Sequence, residues 1–181
     1  SRSTTAINAN LWTGTATGNG TDKLLNIEGL LGSSQQDTFT DNSANNLFDG
    51  RGGNDAFYLV NGGNDTLMYN VLEGMGNGHD TIHGFKVGNL VKDSDADLLD
   101  MSELLDYKGS ISFFEDDGKL ELDYSSRGVL DYVKVEVVGS DTVISIDRDG
   151  QGGQHGFTQV VTLADVQTDL VTLLQNNQIM M

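Results

Sequence analysis

The chain has 181 residues with 10 Lys+Arg against 27 Asp+Glu, a net charge of −17, and neither cysteine nor proline. That balance excludes nucleic acid and anionic membranes as electrostatic partners, and the missing cysteine excludes disulfides, thiolate metal sites and cysteine nucleophiles. Asp supplies 21 of the 27 acids and Gly numbers 23, so the charge belongs to turn-forming residues, where a hard divalent cation is the natural counterpart. No apolar run is long enough to span a bilayer.

In chain order, residues 1–31 read as lead-in strands with a partial repeat, GNGTDKL (18–24). Residues 32–83 carry the repeats GSSQQDTFT, DNSANNLFD, GRGGNDAFY and LVNGGNDTLM, with a looser copy, GNGHDTI, at 76–82. Their polar column is Asp37, Asn46, Asp55 and Asp65, continued by Asp80; their apolar column is Phe39, Phe48, Phe57 and Leu67. A few extended residues followed by a Gly/Asn/Asp reversal make half a coil. Two units then make one rung, so Asp37 and Asp55 stack on one edge, and Asn46 and Asp65 on the other. Close-stacked acids repel unless a cation lies between them. Calcium accepts both carboxylate and carbonyl oxygens. The carbonyls of Gly50, Gly52, Asn61, Gly63, Gly76 and Gly78 are candidate ligands. Asn46 either ligates through its amide oxygen or marks an empty turn.

These units resemble the nonapeptide GGxGxDxUx of repeats-in-toxin (RTX) proteins, a calcium-binding repeat. Arg51 stands where the second glycine belongs, Asn46 replaces an Asp, and LVNGGND has one extra residue. The resemblance implies an all-β fold: a short right-handed parallel β-roll stacked by Ca²⁺, then a β-rich C-terminal cap with one or two short helices. LWTGTATGNGTDKLLNIEG is similar to the segment that precedes such arrays in secreted bacterial proteins.

Residues 84–109 form an acidic cap. SDADLLDMSELL is similar to the family's capping element, an acidic turn before a short helix. Asp97 and Asp100 are candidate ligands there, against the alternative that such acids merely cap the helix. Residues 110–181 hold a hairpin around Asp117-Gly118, strands at 132–138 and 142–146, a glycine-rich loop, and a strand at 157–163. An amphipathic helix is expected on Leu163, Val166, Leu170 and Leu173. Asp147 and Asp149 have the spacing that opens an EF-hand loop, but Thr158 occupies the position that needs Glu, and a tight β-connection is the simpler reading. His79 and His83 share a strand, not a helix, so their spacing is not a zinc motif.

From DTVISIDRDGQGG to TDLVTLLQNNQI the chain resembles the C-termini of large adhesins exported by type I secretion, ice-binding adhesins among them. The resemblance implies a non-enzymatic, extracellular or cell-surface module, monomeric as an isolated domain. Its partners would be calcium ions and the secretion machinery. Two alternatives stay open: a carbohydrate- or surface-binding module, or the C-terminal module of a secreted protease or lipase. Ice binding needs a flat Thr/Asn ladder, and the outward positions Arg51, Ala56, Tyr58 and Met68 vary.

Overall fold

The computed structural model describes residues 5–70, 76–105, 109–150 and 153–181. It is mostly β, with parallel sheets and one α-helix. Ten short strands come first: β1 (Asn8–Asn10), β2 (Thr15–Gly18), β3 (Gly20–Lys23), β4 (Gly29–Leu31), β5 (Thr38–Thr40), β6 (Leu47–Asp49), β7 (Ala56–Tyr58), β8 (Thr66–Met68), β9 (Asp80–His83) and β10 (Leu98–Asp100). From β4 onward they alternate between two sheets. In one, β5, β7 and β9 pair in parallel; in the other, β4, β6, β8 and β10 do so. The chain is therefore wound as a flattened coil of about two strands per turn.

The coil is held by its apolar column. Register places Phe39 beside Phe57 and Ile82 in one sheet, and Leu30 beside Phe48, Leu67 and Leu99 in the other. The middle residue of each three-residue strand points inward, and Phe39, Phe48, Phe57, Leu67, Ile82 and Leu99 are all buried. The three phenyl rings meet with centroids 5.6 to 6.0 Å apart, a separation typical of favourable aromatic pairs. Each such side chain contributes about 1.5–3 kcal/mol.

The C-terminal region continues both sheets rather than standing apart. It comprises β11 (Phe113–Asp116), β12 (Lys119–Leu122), a 3-10 segment at Tyr124–Asp131, β13 (Val133–Val138), β14 (Asp141–Ile146), β15 (Thr158–Ala164), α1 (Leu170–Gln175) and β16 (Ile179–Met180). β15 pairs in parallel with β9, setting Leu163 beside Ile82, and β16 pairs in parallel with β10, setting Ile179 beside Leu99. The sheets thus have nine and five strands, with β11–β12 as a separate hairpin. Its turn is the expected one: Asp117 and Gly118 both have positive φ, at 49° and 76°, as a twisted two-residue hairpin turn demands. No helix of the described residues is long and apolar enough to cross a membrane.

Three sequence expectations differ from the structure. GNGTDKL forms no rung. Gly18 and Gly20 reverse the chain into the β2–β3 antiparallel hairpin, and Asp22 lies exposed on it. The C-terminal helix begins at Leu170, capped by the Asp169 side chain, which accepts from the Thr172 amide at 2.8 Å. Leu163 belongs to β15 instead, because pairing beside Ile82 outweighs the weak helical period. After β10 the expected short helix is a single turn, with Leu104 and Leu105 amides donating to the Met101 carbonyl; one turn makes too few bonds to repay its nucleation. The expectation beyond it falls partly on residues 106–108, outside those described.

Candidate metal centre

The two edges of the coil are built from the reversals between strands. On the first edge Asp37, Asp55 and Asp80 stand immediately before β5, before β7 and at the start of β9, with relative exposures of 0%, 2% and 2%. They form a ladder. The Asp37 amide donates to Asp55 Oδ1 at 2.7 Å, and the Asp55 amide to Asp80 Oδ1 at 2.8 Å. Asp37 in turn accepts from the amides of Ile7 at 2.6 Å and Ser33 at 2.5 Å. Each carboxylate is thus hooked to the backbone of the neighbouring rung.

The second edge repeats the scheme. The Asn46 amide donates to Asp65 Oδ1 at 2.8 Å, and the Asp65 amide to Asp97 Oδ1 at 3.1 Å. Asp97 Oδ2 accepts from the Lys86 amide at 2.8 Å. Asn46 closes the ladder on itself: its Oδ1 accepts from the Asn42 amide at 2.9 Å, and its Nδ2 donates to Asn42 Oδ1 at 3.1 Å. A cavity of about 470 Å³ opens on this edge, lined among others by Asn61, Gly63, Asp65, Asp95 and Asp97. The Gly63 amide donates to Asp95 Oδ1 at 3.1 Å.

Burial without a cationic partner sets the electrostatics. Desolvation raises Asp55, Asp65 and Asp97 to about 7 and Asp80 to about 8, and neighbouring acids add to the rise in each case. The backbone donors of the ladder pull the other way but do not offset burial. Asp55 Oδ2 is buried with no hydrogen-bond partner. An ideal Cβ on Gly50 would lie 2.2 Å from that same oxygen, and one on Gly32 would lie 2.6 Å from Asp37 Oδ2. Only glycine lets the chain pass this close to each carboxylate. Stacking is equally tight at Gly78 (φ +81°), where a Cβ would meet the Gly53 carbonyl at 1.5 Å.

The feature here that suits a cation of calcium's chemistry is the buried Asp55 carboxylate oxygen that no donor satisfies, set against Gly50. Among the described residues no three His, Asp or Glu side chains converge to hold a metal, so backbone or water oxygens would have to supply most of any coordination. Gly50 and Gly52 lie buried in the first-edge turn before Asp55. Gly76 is exposed, and an added Cβ there meets nothing nearer than the Gly78 amide at 3.8 Å. The Asn61 amide and side-chain Nδ2 both donate to the Asp41 carboxylate, at 2.8 and 2.6 Å.

Asp100 is not brought to either ladder. As the last residue of β10 it turns outward and accepts from Ser102 Oγ at 2.6 Å. Asp41, fully buried and close enough for its charge to raise both Asp65 and Asp97, escaped the sequence reading. The available signal was its place two residues after Phe39, where the neighbouring turns carry Leu11 and Leu59. His79 and His83 are committed separately. His79 Nε2 lies 2.7 Å from Thr162 Oγ1, and His83 stacks on Tyr58 at 4.7 Å. Asp149 closes its own loop, accepting from the Gln154 and His155 amides at 2.9 and 3.1 Å; these bonds lower its pKa.

No protein-family model matches the chain, and no curated protein matches it.

Proposed function

We propose that this chain is a non-enzymatic calcium-binding module of the RTX type, belonging to a secreted bacterial surface adhesin. The observation that carries the reading is the pair of buried, mutually hooked carboxylate ladders, with Asp55 Oδ2 left without a partner beside Gly50. Asp37, Asp55 and Asp80 on one edge, and Asp65 and Asp97 on the other, would hold the ions, together with carbonyls of the glycine-rich turns. When bound, Ca²⁺ supplies positive charge that permits these acids to stay ionised while buried.

The reading extends to biogenesis. In low calcium the ladder acids would have to be buried without a counter-ion, at a cost in free energy whether charged or protonated, so the chain stays unfolded in the cytosol and passes a type I export channel C-terminus first. External calcium then folds it. The absence of proline removes slow X-Pro isomerisation from that step.

Circular dichroism in chelator and in millimolar calcium tests this. A largely disordered spectrum that turns β on calcium addition is expected; a fully folded spectrum in chelator overturns the reading. A carbohydrate-binding module is the second reading. It has in its favour a cavity of about 450 Å³ with Ile146 and Val160 in its wall and Asn54, His79, Arg148 and His155 among its polar groups, a size and lining suited to a small ligand. A glycan array in calcium separates the two readings: calcium-dependent folding with no glycan bound leaves only the first.

A further inference from the structure

The first edge changes character at its third turn. Two residues after the inward Leu30 and Phe48 stand Gly32 and Gly50; two residues after Leu67, in the same column, stands Tyr69. The glycines let the carboxylates pack against the backbone, whereas Tyr69 brings a phenol ring that is only 3% exposed. Its hydroxyl faces Asp80, near enough to interact but without a hydrogen bond of regular geometry, and it also feels the charges of Asp55 and Asp49. Two buried oxygens in this neighbourhood, Tyr69 Oη and Asp55 Oδ2, therefore lack partners. A buried polar atom left unpaired is costly, and no ion pair reaches these atoms among the described residues.

We propose that the Tyr69 hydroxyl is a ligand of the cation held between Asp55 and Asp80. A neutral phenol has one proton and acceptor lone pairs. With the proton directed to the Asp80 carboxylate, a lone pair is free for the same ion that meets Asp55 Oδ2, so one arrangement satisfies both orphaned atoms. The proposal rests on the calcium reading above, and adds a ligand that the repeat pattern does not contain.

The test is Y69F, with Y58F as control because Tyr58 lies outside the ladder and stacks on His83. Calorimetry with calcium should show Y69F binding one ion fewer than wild type, or binding one ion at least about tenfold more weakly, while Y58F matches wild type. Terbium used in place of calcium and excited through tyrosine should lose a large share of its emission in Y69F alone. A second measurement does not depend on how well Y69F folds. A W12F variant in which every tyrosine but Tyr69 is replaced by phenylalanine should still sensitise terbium. Unchanged ion count and affinity in folded Y69F, or a dark terbium signal in the Tyr69-only variant, overturns the proposal. Wild type that takes up no calcium overturns the calcium reading itself.

Discussion

The two edges of the coil share a plan but not a charge. The first carries acids at all three levels, Asp37, Asp55 and Asp80, and glycine beside the first two. The second begins with neutral Asn46, whose side chain is satisfied by Asn42, and ends at Asp97, whose carboxylate takes two backbone amides. Asp97 is also anchored from behind: the fully buried Gln178 donates from Nε2 to the carbonyls of Lys86 and Asp97, at 2.6 and 2.9 Å. Both edges tie their carboxylates to backbone amides, but among the described residues only the first leaves a buried carboxylate oxygen, Asp55 Oδ2, without a partner. On the proposed calcium reading the first edge therefore needs the counter-ion more than the second.

Substitutions can break that contrast. The largest effect should come from Gly50→Ala, because its Cβ would fall 2.2 Å from Asp55 Oδ2 and 3.0 Å from the Phe57 ring. We expect a loss of about 3 kcal/mol or more in calcium, read from urea unfolding, whereas Gly76→Ala should stay within about 0.5 kcal/mol. Next, Asp55→Ala should raise the calcium concentration needed for folding by about tenfold or more, and Asp65→Ala by less. Equal shifts in the two variants would erase the difference between the edges.

Protons provide an independent handle. Asp55, Asp65, Asp80 and Asp97 have folded-state values raised to about 7–8, above the usual 3.8. In chelator the folded state therefore binds more protons than the unfolded state between those limits. Its stability is greatest below about pH 4 and is lost as pH rises through 7 to 8. Lowering the pH from 8 to 5 without calcium should increase β-structure in circular dichroism, while at limiting calcium the same change should weaken ion binding. A chelated protein whose β signal falls on acidification would contradict the desolvation account.

The smallest expected effect sharpens the contrast. Asn46→Asp extends the second ladder with a third acid, so it should destabilise the chelated protein slightly and lower the calcium midpoint by about two- to threefold. No change in either would mean that this turn lies outside any ion site. Asp100→Asn, which touches only the Ser102 turn, should leave the midpoint unaltered.

The ladders were legible in the sequence because they follow from local spacing. A reversal of fixed length sets one polar and one apolar residue on each half-coil, and the spacing of Asp37 from Asp55 already puts them on one edge. Phe39, Phe48 and Phe57 were readable as core for the same reason, and so was the Asp117-Gly118 turn, whose chemistry is confined to two residues. What sequence reasoning missed depended on partners distant in the chain. GNGTDKL has the repeat's composition, yet it folds back as a hairpin, since its strand finds β2 and not a further rung. Leu163 fits a helical period until Ile82 claims it for the sheet. Asp41, Tyr69 and Gln178 are unremarkable letters until winding buries them against the ladder acids and the cap. Sequence alone thus determined the period of this acidic, glycine-rich chain and the acids that period stacks. Only the tertiary structure decided which of its acids, among the described residues, lie out of water, because burial is a property of the neighbours that long-range pairing supplies.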